Sequence, residues 1–275
     1  MRRAKIEQTS TYPLTAAEGG RLMMKLDRGT LRVLPGAVEE ARLEFALEAV
    51  STTREEAQAL IDGFSPEISV DGDRITIVVS CGPSEEGRTW WRRIERRLDL
   101  AATLVVPRRQ SLDLELQMGE IRVEDAEGAV SAAVQVGDIH IGTAAGDLSA
   151  ETQSGSIAVR QVEGRLVART RIGRVRVDEA GSGFEIATGS GDIVTRMLHP
   201  LGEDSRITAE VGRIDLALAP AVGAEVDARA QVGQIVSDFP LGVESSPGRL
   251  RGSIHGGGPR LTVACVTGGI RLSAA

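Results

Sequence analysis

The chain is poor in the residues most used for recognition and chemistry. Its 275 residues include only seven aromatics, Tyr12, Phe45, Phe64, Trp90, Trp91, Phe184 and Phe239, which leaves little for stacking sugars or bases. Two cysteines, Cys81 and Cys265, are too few and too distant for a disulfide framework or a metal site. The alternation in "LTVACVT" makes Cys265 a buried thiol. Three histidines, His140, His199 and His255, stand in unrelated contexts. No Ser/His/Asp set, phosphate loop or metal-ligand spacing is present, so no catalytic residue, metal or cofactor is expected. No run approaches the roughly 18 apolar residues of a membrane span. The start, "MRRAKIEQTSTYPL", lacks the apolar stretch of a secretory signal. As written the chain reads as cytoplasmic, with cell-envelope association the alternative if an export segment lies outside it. A net charge of −7 gives no pull towards nucleic acid or an anionic membrane.

What the chain has is glycine, 32 residues of it, and a repeat. The phrase in "VQVGDIHI" returns in "TQSGSIAV" eighteen residues later. Aligned on glycine, the copies place Gly119, Gly137, Gly155, Gly173, Gly191, Gly212, Gly233 and Gly268 in one column. Two residues on, each copy has a β-branched apolar residue: Ile121, Ile139, Ile157, Val175, Ile193, Ile214, Ile235, Ile270. Before the glycine, apolar and polar residues alternate, which makes each copy a strand with one buried face. A degenerate copy, "LMMKLDRGTLRVLPG", puts Gly29 in the same register.

At the glycine the parity breaks. The apolar residues one before and two after it are three apart, so both are expected to point inward around a corner at which glycine supplies φ > 0. A second turn then returns the chain for the next copy. Such a unit cannot bury its core alone, and stacked copies would pair as parallel strands. The expected fold is all-β, a β-helix or β-solenoid of ~18-residue rungs. Three residues before glycine stand Leu116, Val134, Thr152, Thr170, Thr188, Ala209, Ala230 and Cys265, which predicts a narrow packed bore and a threonine-to-threonine ladder. The residues after glycine, Glu120, Asp138, Ser156, Arg174, Asp192, Arg213 and Gln234, are expected to form a solvated outer ladder.

Residues 1–111 read as an N-terminal cap holding the Gly29 rung, a short helix near 53–62 and a hairpin at Asp71-Gly72-Asp73. Residues 112–275 hold the repeats, and the whole is expected to be one continuous domain. Within the cap, "GPSEEGRTWWRRIERR" combines arginines with the only tryptophans. Arg88, Trp90, Trp91, Arg92 and Arg93 are therefore the candidate binding residues, for a glycan, an anionic headgroup or an acidic partner. The competing reading is a hairpin with one indole packed on the cap.

The phrases "VGDIHI", "SGSIAV", "IGRVRV", "SGDIV" and "VGRIDL", with the helix "TTREEAQALIDG" and the hairpin "DGDRITIVV" ahead of them, resemble the bacterial putative-adhesin family of β-strand repeat proteins, a domain family without an assigned activity. The resemblance spans about Gly20 to Leu272. It implies a single-stranded right-handed parallel β-helix, a surface or envelope-stress setting, and no catalytic residues. The function expected is a non-enzymatic scaffold binding a protein or a surface polymer. A cytoskeletal filament former resembling the bactofilins is the alternative. A polysaccharide-processing enzyme is third, with Asp192 beside Arg174 and Arg213 as its nearest candidate site. The final copy, "RLTVACVTGGIRLSAA", has nothing after it to cover an open end, so weak self-association through this C-terminal rung is expected, unless "GVESSPGRLRGSIHGGG" folds across it.

Overall fold

The computed structural model of the chain describes residues 4–14, 19–38, 41–51, 53–62, 64–79, 98–241 and 248–275. Within them the protein is all-β: 22 strands in one mostly parallel sheet and one short helix, Arg54–Asp62. No helix among these residues is long and apolar enough to cross a membrane.

From the Gly137 copy onward each repeat forms two strands that meet at its glycine, while the Gly29 and Gly119 copies run through it as single strands. Leu148–Ser154 and Ile157–Val162 meet at Gly155, and Arg165–Ile172 and Val175–Glu179 meet at Gly173. Neighbouring copies pair in parallel and in register, with Thr152 between Val134 and Thr170, and Ile157 between Ile139 and Val175. Alternate residues of both strands face one continuous interior of Leu, Ile, Val and Ala. That burial drives the stacking, because no single rung can close its own core.

Stacking order departs from chain order at both ends. The Gly29 rung, Arg21–Gly36, pairs directly with Ser111–Val123, about ninety residues further along the chain. On its other edge lie Arg74–Val79 and Leu98–Pro107. Antiparallel strands follow: Glu67–Asp71 on the first of these, and Ala41–Ser51, then Ala4–Leu14, on the second. The helix packs on Ala4–Leu14 and Ala41–Ser51 and starts after Thr53, whose Oγ1 accepts the Glu56 N–H at 3.2 Å as an N-cap.

At the opposite end the expectation of an open C-terminal rung is corrected. The final copy, Arg260–Thr267 and Ile270–Ala274, lies between the Gly212 rung and the Gly233 rung, paired on both edges. The physical end is the Gly233 rung, and Arg249–Ile254, from the long interval before Gly268, pairs with it antiparallel. The reason is burial. Inserted there, Leu261, Val263, Ile270 and Leu272 are all shielded, whereas an end position would leave one side of each open. Both ends of the stack therefore carry antiparallel strands, not a bare parallel edge.

Candidate functional site

The glycine corner is built by backbone contact. All nine glycines in the column, Gly29 included, have φ between 136 and 152°. From Gly119 onward, a Cβ on any of them would lie 1.6–1.9 Å from the carbonyl oxygen of the neighbouring rung's glycine. Conformation and space both demand glycine. The inward threonines do not bond one another as expected. Thr152, Thr170 and Thr188 donate instead to the carbonyls of Gly137, Gly155 and Gly173, at 3.1, 3.0 and 3.1 Å. A carbonyl turned inward at the corner would otherwise be a buried acceptor without a partner, and the hydroxyl of the next rung supplies one. Cys265 repeats the contact with its thiol, 3.3 Å from the Gly212 carbonyl, and burial pushes that thiol's pKa up.

The outer ladder after the glycine faces solvent as expected. Two of its acids also tie rungs together: Asp138 accepts the backbone N–H of Ser156 at 2.7 Å, and Asp192 that of Arg213 at 2.9 Å. Arg174 lies 3.7 Å from Asp192. The only carboxylate proposed for an enzymatic site is thus engaged in holding the corner.

The residues before the glycine require a second correction. Those one before it do not point inward. Met118, Val136, Ile172, Val211 and Val232 are 43, 48, 53, 52 and 63% exposed. The ladder passes from Thr152↔Thr170 to Ser154↔Ile172 without pairing Gln153, and at this break two consecutive side chains, Gln153 and Ser154, face solvent. Only after the glycine does inward alternation resume. The result is a ridge along the outside of the corner.

Beside the ridge runs a groove of about 1140 Å³, lined by the residues four, three and two before each glycine. Ion pairs cross its wall: Lys25 to Glu115 at 2.8 Å, and Arg169 to Glu151 and Glu185, both at 2.9 Å. Glu115 holds the Lys25 ammonium charged to higher pH than usual. At the far end Asp227 sits among Arg229, Arg251 and Arg249 at 2.7, 2.8 and 3.2 Å. Arg229 above all holds its carboxyl below the usual range. Gln135, Gln153, Arg171, Glu210 and Gln231 make no side-chain hydrogen bond or ion pair with any described residue.

The basic–aromatic candidates Arg88, Trp90, Trp91, Arg92 and Arg93 lie outside the described residues. The histidines are apart: His140 is 3.1 Å from Glu120, and His255 Nδ1 is 2.9 Å from the Val222 carbonyl. Among the described residues no three His, Cys, Asp or Glu side chains are placed to hold a metal ion. Sequence reading missed the groove and the ridge. Their one signal was the apolar residue before the glycine, which the period-two rule assigned to the wrong face.

No curated protein matches the chain. Among solved structures it is similar to a putative adhesin from Parabacteroides merdae, at 9% identity and a TM-score of 0.44, covering 96% of each chain. A putative adhesin from Bacteroides fragilis aligns at 11% identity and a TM-score of 0.42, covering 98% of this chain and 97% of that one. A putative lipid binding protein from Parabacteroides distasonis aligns at 13% and 0.43, over 97% and 96%. Residues 99–273, from the strand beside the Gly29 rung to the final copy, match the profile of the Toastrack DUF4097 family, well over half of the sequence. The chain belongs to the Toastrack DUF4097 family.

Proposed function

We propose that the protein is a non-enzymatic, adhesin-like binding scaffold whose glycine corner is the docking face, and that its partner there is a protein. The observation that carries this reading is one strip on which exposed Val136, Ile172, Val211 and Val232 stand beside polar side chains without partners among the described residues. Single exposed apolar residues are ordinary, but a row of them along one edge marks an interaction surface. On the other face of the early rungs charges are paired, Arg122 with Glu120, Arg160 with Asp125 and Arg176 with Asp178.

The groove's chemistry favours binding over catalysis. Its carboxylates Glu115 and Glu151 are held by Lys25 and Arg169, and the hydroxyls of Thr152, Thr170 and Thr188 by glycine carbonyls, which leaves Glu210 without a second free acid beside it. Charges of both signs give no field for a polyanion. Among the described residues no aromatic side chain lines the groove to stack a sugar, so a protein surface fits it better than a polysaccharide. In this reading the stack winds as a single right-handed parallel β-helix, the hand that parallel crossovers take almost without exception, with residues 1–111 as its cap.

Site-specific photocrosslinking in the producing cell tests the reading. A crosslinker at Gln153 or Gln231 is expected to give discrete protein adducts, and one at Ala158 on the other face none. Equal yields from both faces, or none from the groove, would overturn it.

A further inference from the structure

Resting on that reading of the corner as a docking face, we infer that its partner is a second copy of this chain, packed antiparallel with the two-fold axis at the rung of Gly189 and Ser190. The argument comes from the ridge taken in stacking order. Beyond Arg28 and Met118, which contact each other at 3.1 Å, the residues one before the glycine run Val136, Ser154, Ile172, Ser190, Val211, Thr267, Val232. All seven are exposed. Apolar and small polar residues alternate, and the series reads the same way in both directions about Ser190.

An isologous interface needs this kind of self-complementarity: if residue i meets j, then j meets i. With the axis in the interface and across the stack, each rung faces the rung equally far beyond Ser190. Ile172 then meets Val211, Ser154 meets Thr267, and Val136 meets Val232. Adjacent rungs are about 4.8 Å apart, so the strip is roughly 29 Å long.

The neighbouring column, two before each glycine, fits the same axis independently. In the same order it reads Gln135, Gln153, Arg171, Gly189, Glu210, Val266, Gln231. Arg171 and Glu210 flank the central rung and have no partner among the described residues of their own chain. The antiparallel arrangement places each opposite the other, giving two symmetric ion pairs, while Gln135 meets Gln231 and Gln153 meets Val266. At the axis Gly189 and Ser190 are small, so the two backbones approach closely. The adjacent registers and the parallel arrangement fail. An axis one rung earlier sets Arg171 on Arg171, one rung later sets Glu210 on Glu210, and a parallel dimer does both. Like charges so placed are costly.

Two columns over seven rungs supply about half of the 20–30 residues a side of a standard interface, so the dimer is expected to be weak. Sedimentation over roughly 1–500 μM should show a monomer–dimer equilibrium. Arg171→Glu alone and Glu210→Arg alone should each raise the dimer Kd about tenfold or more, and the double charge swap should restore it. All these side chains are exposed, so circular dichroism and melting are expected to be unchanged and to exclude misfolding as the cause. In a Cys81→Ser background, Ser190→Cys should form a disulfide-linked dimer on mild oxidation. Ser154→Cys should not, since the two copies of residue 154 would lie about 19 Å apart.

A strict monomer throughout the concentration range overturns the inference, as does a dimer indifferent to the charge reversals or a Ser154→Cys dimer that forms as readily. Adducts of Gln153 with a foreign protein together with a monomeric chain would remove this inference and leave the scaffold reading standing. The absence of any groove adduct in the cell, with a charge-sensitive dimer in solution, would do the reverse.

Discussion

Each rung turns twice, and the two turns obey different rules. The glycine corner is constant: the same positive φ at every copy, the same carbonyl contact to the next rung, and no inserted residue. The opposite turn absorbs all the variation in repeat length. Glu179 to Gly183 spans it in one rung and Met197 to Ser205 in the next, while the long excursion from Ser237 to Arg260 leaves at the same place. A column of Gly128, Gly146 and Gly164 keeps that turn tight in the early rungs, where a Cβ on any of them would lie 2.4–2.8 Å from the backbone of the rung before, and the turn lengthens after Met197. The comparison teaches that in the later rungs the register of the stack is held at the glycine corner. There the backbones are in contact, so an extra atom has nowhere to go. At the far turn after Met197 the chain faces water, and added length costs only loop entropy.

The comparison breaks most sharply at Gly155. A Gly155→Val variant must place a β-branched residue at φ 152° and a Cβ 1.9 Å from the Gly137 carbonyl oxygen. A loss of about 3–5 kcal/mol is expected in urea unfolding. An unchanged midpoint would mean that the corner does not hold the register. Thr170→Val tests the hydroxyl that caps the corner carbonyl at 3.0 Å while leaving its shape nearly intact. The expected cost is about 1 kcal/mol, and a variant as stable as the parent would show that the carbonyl finds another donor. The smallest effect belongs to the far turn. Three glycine–serine residues inserted between the exposed His199 and Pro200 should change stability by no more than about 0.5 kcal/mol. A large loss there would mean that both turns are rigid.

Much of the rung was legible in the sequence. Alternation marked the strands, the Gly-x-Ile phrase marked the corners, and Thr53 with "REEAQALID" marked the one helix. The candidate site was not. The alternation rule assumes an unbroken ladder, and the break at Gln153 and its equivalents turned Val136, Ile172, Val211 and Val232 from the core to the surface. The threonines were correctly placed inside but given the wrong acceptor. The competition lies between a neighbouring hydroxyl and a carbonyl that glycine alone allows to approach so closely.

The sequence by itself determined the repeat unit: which residues are strand, which face is buried, and where only glycine can stand. These follow from local rules of period, sterics and conformation that act over a few residues. Only the tertiary structure decided the order of the rungs. It placed the Gly29 copy against the Gly119 copy and slid the final copy between the Gly212 and Gly233 rungs. Every rung offers much the same edge and the same apolar face, so local pattern cannot choose among neighbours. That choice falls to the burial gained by the whole stack, and the alternating ridge exists only in the order it selects.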